Sequence, residues 1–280
     1  MNGKVVVITG GTSGIGQIAA ERLAGLGARI VLVARDQTRA DATLNRLRQN
    51  FPGANHTVHL ADLSKIEAVK KLAVEIANAE PRIDVLMNNA GAIFYDRQVT
   101  SDGLERTFAT NHMPYFVLTM GLRKTLLATA GSRVVNTSSE AHRRMKLDFD
   151  DLQCATKYRA ITAYGRSKLC NILFTRELAR QLKGTGVTAN CLHPGFVNTR
   201  FGDGGRGALH QFFRIAKNLA LTPEKGAETM VYLASSSEVA DVTGAYFQKC
   251  AQKIPTSEAQ DDEAARRLWA ETAKLTGLAE

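Results

Sequence analysis

Long apolar runs are missing from this chain. Its hydrophobic segments are short and punctuated by charge, far below the ~18 continuous residues of a membrane-spanning helix, so no membrane span is expected. Leader-like sequence is missing as well. Met1-Asn2-Gly3-Lys4 runs straight into an apolar stretch, leaving no room for a signal or transit peptide, and a cytoplasmic location is the expectation. Cysteine is sparse and scattered: Cys154, Cys170, Cys191 and Cys250 form no C-x-x-C or Cys/His ligand spacing, which argues against disulfides and against a metal site. Low-complexity tracts and internal repeats are absent too, which excludes disordered and solenoid architectures. The formal net charge of +9 is spread along the chain rather than gathered in one arm or helix. Nucleic acid is therefore not expected as a partner, whereas a basic balance suits a polyphosphate ligand.

What is present is a strand, a glycine turn and a helix, in that order. Val5-Val6-Val7-Ile8 has the β-branched character of a buried parallel strand. Thr9-Gly10-Gly11-Thr12-Ser13-Gly14-Ile15-Gly16 follows, and Ile18, Ala19, Leu23 and Leu26 then recur at helical spacing. A dinucleotide pyrophosphate needs a backbone free of side chains and gains from the amides and positive dipole end of a helix N-terminus. Arg29 to Ala34 reads as a second strand that closes a βαβ unit. At the end of such a strand an acid binds the ribose 2′-hydroxyl of NAD and an arginine accommodates the 2′-phosphate of NADP. Both types stand here, Arg35 and Asp36, with Arg39 a further basic contact; the order favours NADP(H). Ala40, Leu44 and Leu47 mark a second helix, Thr57 to Ala61 a third strand, and Asp62-Leu63 its cofactor-side end, where the carboxylate faces the adenine amino group. Ser64 is positioned to cap a helix with Ile66, Val69, Leu72 and Ile76 as its apolar stripe. The expected fold is α/β: a single doubly wound Rossmann domain over 1–280, with a mainly parallel sheet and helices on both faces.

Ile83 to Met87 is a fourth strand ending in Asn88-Asn89-Ala90-Gly91. With it, the chain resembles the short-chain dehydrogenase/reductase family. The family pattern T-G-x-x-x-G-x-G is matched by Thr9, Gly10, Gly14 and Gly16, and N-N-A-G by residues 88–91. Asn111 matches the helix asparagine and Arg133 to Ser139 the fifth strand with its serine. Tyr164-Gly-Arg-Ser-Lys168 matches Y-x-x-x-K, and Pro194-Gly195 the P-G after the sixth strand. The resemblance implies a nicotinamide cofactor held by Gly10, Thr12, Ser13, Gly14, Ile15, Gly16, Arg35, Arg39, Asp62, Leu63, Asn89, Ala90, Gly91, Tyr164, Lys168, Pro194, Gly195, Val197 and Thr199. It also implies Tyr164 as general acid/base, Lys168 as ribose ligand, Ser139 as the group that holds the substrate oxygen, and Asn111 as the anchor of a water linking Lys168 to solvent. Independently of any family, Tyr164 and Lys168 at i and i+4 share one helix face, where an ammonium would favour the phenolate of a tyrosine with an ordinary pKa near 10. From the residues alone, Ser138 and Ser139 are hard to separate.

Three segments, Asp102 to His112, Tyr164 to Gly195 and Gly244 to Trp269, resemble the retinol-dehydrogenase-like group and its protochlorophyllide-reductase relatives. From Ser139 to Tyr164 is 25 residues, about twice the separation the family resemblance implies for many members, so residues 140–160 are expected to loop out beside the substrate. Gly202 to Gly207 reads as a hinge and Leu209 to Leu221 as a helix, together a lid around 200–222. The expected reaction interconverts an apolar or aromatic carbonyl and its alcohol. Reduction of a carbon–carbon double bond and a non-catalytic NADP sensor are the alternatives. The family implies a homo-oligomer, dimer or tetramer.

Overall fold

Val6, Val7 and Ile8 are wholly buried because β1 (Val5–Thr9) runs through the middle of the sheet, paired in parallel with β2 (Arg29–Ala34) on one side and β4 (Val85–Asn88) on the other. The computed structural model describes residues 1–197 and 221–278. Eight strands take the order β3-β2-β1-β4-β5-β6-β7-β8, with β3 at Thr57–Leu60, β5 at Arg133–Thr137, β6 at Thr188–His193, β7 at Tyr246–Gln248 and β8 at Ala251–Lys253. All pairings are parallel except β7 with β8. The chain winds outward from β1 to β3, then returns to place β4 on the opposite side of β1. That reversal opens a crevice beyond the carboxyl ends of β1 and β4.

Alternation along β1 assigns the two faces. Val6 and Ile8 meet Ala19, Ala20 and Leu23 of α1 (Gly14–Gly25) and Met230 and Leu233 of α8 (Pro223–Ser235). Val7 turns to the other side, with Leu72 and Ile76 of α3 (Ile66–Ala79), Phe116 of α5 (Met113–Gly121), Phe174 of α7 (Ala160–Gln181) and Trp269 of α9 (Asp262–Thr276). The remaining α-helices among the described residues are α2 (Gln37–Asn50), α4 (Arg106–Asn111) and α6 (Arg123–Ala128). This is the doubly wound α/β domain expected of the sequence. Among the described residues no helix is long and apolar enough to cross a membrane.

One local expectation changes, one is sharpened, and one lies mostly outside the described residues. Ser64 does not cap α3: its hydroxyl donates to Asp62 at 2.7 Å, and the N–H of Ile66 instead meets the carboxylate of Asp102 at 2.8 Å. An acceptor 36 residues away in the chain supplies what a neighbour was expected to give. Residues 140–160 form the expected irregular excursion, with Glu140 and Ala141 on the cavity, but it is packed down rather than free. Glu140–His142 forms a 3₁₀ turn, Met145, Leu147, Phe149 and Leu152 pack into a cluster with α7 and α9 side chains, and the Tyr158 hydroxyl donates to the Phe94 carbonyl at 2.7 Å. The segment is a packed wall. Thirdly, of the lid expected around 200–222 only Leu221 and Thr222 fall within the described residues; the hinge, most of the helix and Thr199 lie outside them. Leu221 pairs with Val197 in a parallel bridge, its N–H bonded to the Phe196 carbonyl at 2.7 Å.

Candidate active site

A cavity of about 1220 Å³ occupies the crevice, larger than the ~300–1,000 Å³ of ordinary small-molecule sites. Gly10, Thr12, Ser13, Gly14 and Ile15 form its floor. Gly10 and Gly14 have φ of 67° and 54°, a backbone that L side chains rarely adopt. Gly16 lies behind the floor, where a Cβ would come within 2.3 Å of the Gly10 carbonyl oxygen; its lack of a side chain lets α1 start hard against β1. Ser13 precedes the helix without a side-chain cap bond, and no acid stands in the first turn. The amides there suit an anion.

At one end of the cavity stand Arg35 and Arg39, both exposed. Asp36, the acid that competes with Arg35 for the ribose, is the N-cap of α2 and accepts the Arg39 N–H at 2.9 Å. Asp62 and Leu63 line the wall opposite. Burial raises the Asp62 pKa, but the Ser64 hydroxyl and amide, Arg35 and Lys65 outweigh it and hold the carboxyl below its ordinary range. In the middle, the Thr9 hydroxyl accepts the N–H groups of Asn89 and Ala90 at 2.9 and 3.1 Å, and the Asn89 amide donates to the Thr9 carbonyl at 3.1 Å. The ends of β1 and β4 are thereby tied together, with Gly91 beside them on the cavity wall.

The other end is built on α7. Tyr164 and Lys168 project one turn apart, the lysine only 2% exposed. Its Nζ donates to the Thr137 carbonyl at 3.2 Å and sits 5.6 Å from the centre of the Tyr164 ring. The two serines separate here. Ser138 is engaged with the Lys168 carbonyl at 2.8 Å, fastening β5 to α7. Ser139 hydrogen-bonds Tyr164, accepts the Ala141 N–H at 3.1 Å, and is held through its carbonyl by His142 Nδ1 at 2.7 Å. Asn111 lies behind the wall, bonded to Ala92 N–H and C=O at 2.8 and 2.9 Å and to the Ser167 hydroxyl at 3.0 Å. Its carbonyl is free of the helix because the chain breaks at His112 before α5, and it accepts the Asn171 amide at 3.0 Å. A methyl group at Gly91 would meet Lys168 Nζ at 3.2 Å and Asn111 Oδ1 at 3.3 Å. Pro194, Gly195 and Val197 close the cavity beyond β6.

Residues 4–206 match the family model of the short chain dehydrogenases. The chain belongs to that family. It is 41% identical over 282 residues to human retinol dehydrogenase 13, covering 99% of this chain and 85% of that protein. Among solved structures, an uncharacterised protein from Mycobacterium paratuberculosis superposes with a TM-score of 0.78 at 29% identity, covering 99% of this chain and 94% of that one. A short chain dehydrogenase from Burkholderia cenocepacia J2315 in complex with NADP gives 0.70 at 27% identity, covering 88% and 95%. The protein is thus a retinol-dehydrogenase-like oxidoreductase of alcohols and carbonyls, and its fold implies a nicotinamide cofactor. The positive-φ glycine cradle, the uncapped α1 amides and the unbroken cavity fit such a group.

This dehydrogenase departs from the sequence expectation in its electrostatics. Tyr164 is partly open to the cavity, yet burial pushes its pKa up to about 12 against the lowering effect of Ser139. Burial likewise brings Lys168 down to about 7. Removal from water sets the Tyr164 value with Ser139 alone opposing it, while the Lys168 nitrogen stands back from the ring and donates to a backbone carbonyl. Several cavity residues were missed from the sequence. Thr43 and Arg46 line the basic end; with Arg39 they fall at i, i+4 and i+7 of α2, a stripe that helical spacing alone reveals. Ile93, Phe94, Ile161, Phe196, Glu140 and His193 line the cavity as well, and no local pattern marks them.

Proposed function

We propose that this protein transfers hydride between NADP(H) and an apolar or aromatic aldehyde or ketone and its alcohol. The observation that carries the reading is one continuous cavity with Ser139, Tyr164 and Lys168 at one end and Arg35, Arg39 and Arg46 at the other. When bound, the cofactor supplies or takes up the hydride. Tyr164, held as a neutral phenol, donates its proton to the carbonyl oxygen in reduction, and Ser139 holds that oxygen in hydrogen-bond reach of both hydroxyls. Lys168 binds the cofactor ribose and, with Asn111 anchoring a water behind it, returns a proton to Tyr164. Three guanidinium groups at the adenosine end, with Asp36 engaged as a helix cap, support NADP over NAD; so does the NADP complex of the Burkholderia relative. Ile93, Phe94, Ile161 and Phe196 give the substrate end its apolar character. The reading includes a cytosolic homo-oligomer, open to cell fractionation and light scattering.

A panel of aldehydes, ketones and alcohols, retinal and retinol among them, read by nicotinamide absorbance with NADPH and NADH in parallel, tests the reaction. Turnover with NADPH well above NADH is expected, and Arg35→Ala should narrow that gap at least about ten-fold, the worth of a charge-assisted hydrogen bond. No turnover of any carbonyl or alcohol, or better use of NADH, would overturn the reading.

A further inference from the structure

His193 closes β6 beside the serines of β5. Thr137 pairs with Leu192, and the Ser138 N–H reaches the Leu192 carbonyl at 2.7 Å, so the imidazole falls next to the Ser138–Ser139 step. It lines the same cavity as Ser139 and Tyr164 and is only 8% exposed. Nδ1 is sealed from solvent with no partner. Nε2 is not sealed in this way and makes no hydrogen bond to any described residue, so it is the nitrogen left to the cavity.

The polar groups around His193 are engaged with one another. The Tyr246 hydroxyl donates to Glu140 Oε1 at 2.8 Å, Arg143 takes Glu140 Oε2, and His142 holds the Ser139 carbonyl while stacking edge-on against Tyr246. Burial keeps His193 neutral, its pKa down to about 4, with Glu140 opposing and His142 and Arg143 reinforcing. A neutral ring has one N–H and one lone pair. Sealing an orphan N–H is rarer than sealing an orphan lone pair, so the proton is assigned to Nε2 and the lone pair to Nδ1. The cavity therefore holds a fixed, uncharged donor with no acceptor among the described residues. The reacting carbonyl oxygen already has the hydroxyls of Tyr164 and Ser139.

We propose that His193 Nε2–H binds a second acceptor oxygen of the substrate, so that the preferred class is a carbonyl compound with a further carbonyl, ester or hydroxyl oxygen rather than a ketone with a hydrocarbon body. The inference rests on the carbonyl–alcohol reading above and deepens it.

Benzil and deoxybenzoin differ only in a carbonyl against a methylene, and they serve as the probe pair. With the full chain and NADPH, the ratio of kcat/KM for benzil over deoxybenzoin should fall roughly three- to ten-fold in His193→Phe, the value of one neutral hydrogen bond. His193→Gln carries an amide N–H near the place of Nε2 and should restore the ratio; His193→Asn, whose amide reaches only as far as Nδ1, should not. An unchanged ratio in His193→Phe, or equal rescue by Gln and Asn, overturns the proposal. So does an equal loss with both ketones that a fall in NADPH affinity, by fluorescence titration, accounts for, since the imidazole would then serve the cofactor. If neither ketone is turned over, the reaction reading fails separately, and calorimetric titration of both ketones into the protein–NADPH complex decides the point. Tighter binding of benzil that disappears in His193→Phe and returns in His193→Gln upholds the donor, and equal binding of the two ketones sinks it.

Discussion

Tyr164 is the residue on which the chemistry turns, and its environment assigns the state in which it waits. Burial raises its pKa to about 12, so at neutral pH it is a proton donor. Tyr164→Phe removes the donor while keeping the ring. Turnover should fall by about two to four orders of magnitude, the usual worth of a placed general acid, while NADPH affinity by fluorescence titration stays close to that of the unmodified protein. Comparable turnover in the variant would show that the proton comes from elsewhere. At this scale the sequence was legible where chemistry and spacing coincide, as in the i, i+4 pair Tyr164 and Lys168. It was not legible where the deciding fact is a partner across the fold. Ser138 and Ser139 look alike in one dimension, and only their partners in the fold, the Lys168 carbonyl for Ser138 and the Tyr164 side chain for Ser139, separate them. The protonation of Tyr164 is hidden from the sequence for a similar reason: spacing supplies the distance to a charge but not the water lost around both groups.

Among the elements, α3 makes the sharpest test because its start depends on Asp102 rather than on adjacent Ser64. Asp102→Ala should cost about 1 kcal/mol, a typical cap loss, measured by urea unfolding. Ser64→Ala should leave stability nearly unchanged and instead weaken cofactor binding, because Ser64 orders Asp62. The reverse pattern would restore the local cap. Elements buried on both sides were the legible ones: β1 and β2 announce themselves as short apolar runs rich in β-branched residues, and the expected span Arg29 to Ala34 is the observed strand. β8 carries no such signal. Its Ala251, Gln252 and Lys253 are all exposed, so neither alternation nor an apolar run marks it. The packing of residues 140–160 was hidden as well, since its contacts with α7 and α9 bridge distant stretches of chain.

The whole molecule carries histidines that folding keeps neutral. Burial brings both His112 and His193 from 6.5 to about 4. Between those values the unfolded chain binds protons that the fold refuses, so stability is complete above about pH 6.5 and declines as pH falls toward 4. The two sites together should remove several kcal/mol over that window, about 3 from each, visible as a falling urea midpoint at constant m-value. Carboxylates such as Asp84, held low by Arg82, the Val5 N–H and Lys4 against burial, add their loss only at more acid pH. A midpoint flat from pH 6.5 to 4 would mean that neither imidazole is shielded as described. The overall architecture was readable because strand, turn and helix alternate and the central strands are buried, and the first crossover then places the crevice. One join has a consequence for how such a protein diversifies. Since Val197 and Leu221 are stitched side by side, whatever chain connects them enters and leaves at a single point on the frame. The entropic cost of lengthening a loop closed in this way grows only with the logarithm of its length. The join therefore lets the length of the intervening chain change at little cost to the frame on either side of it.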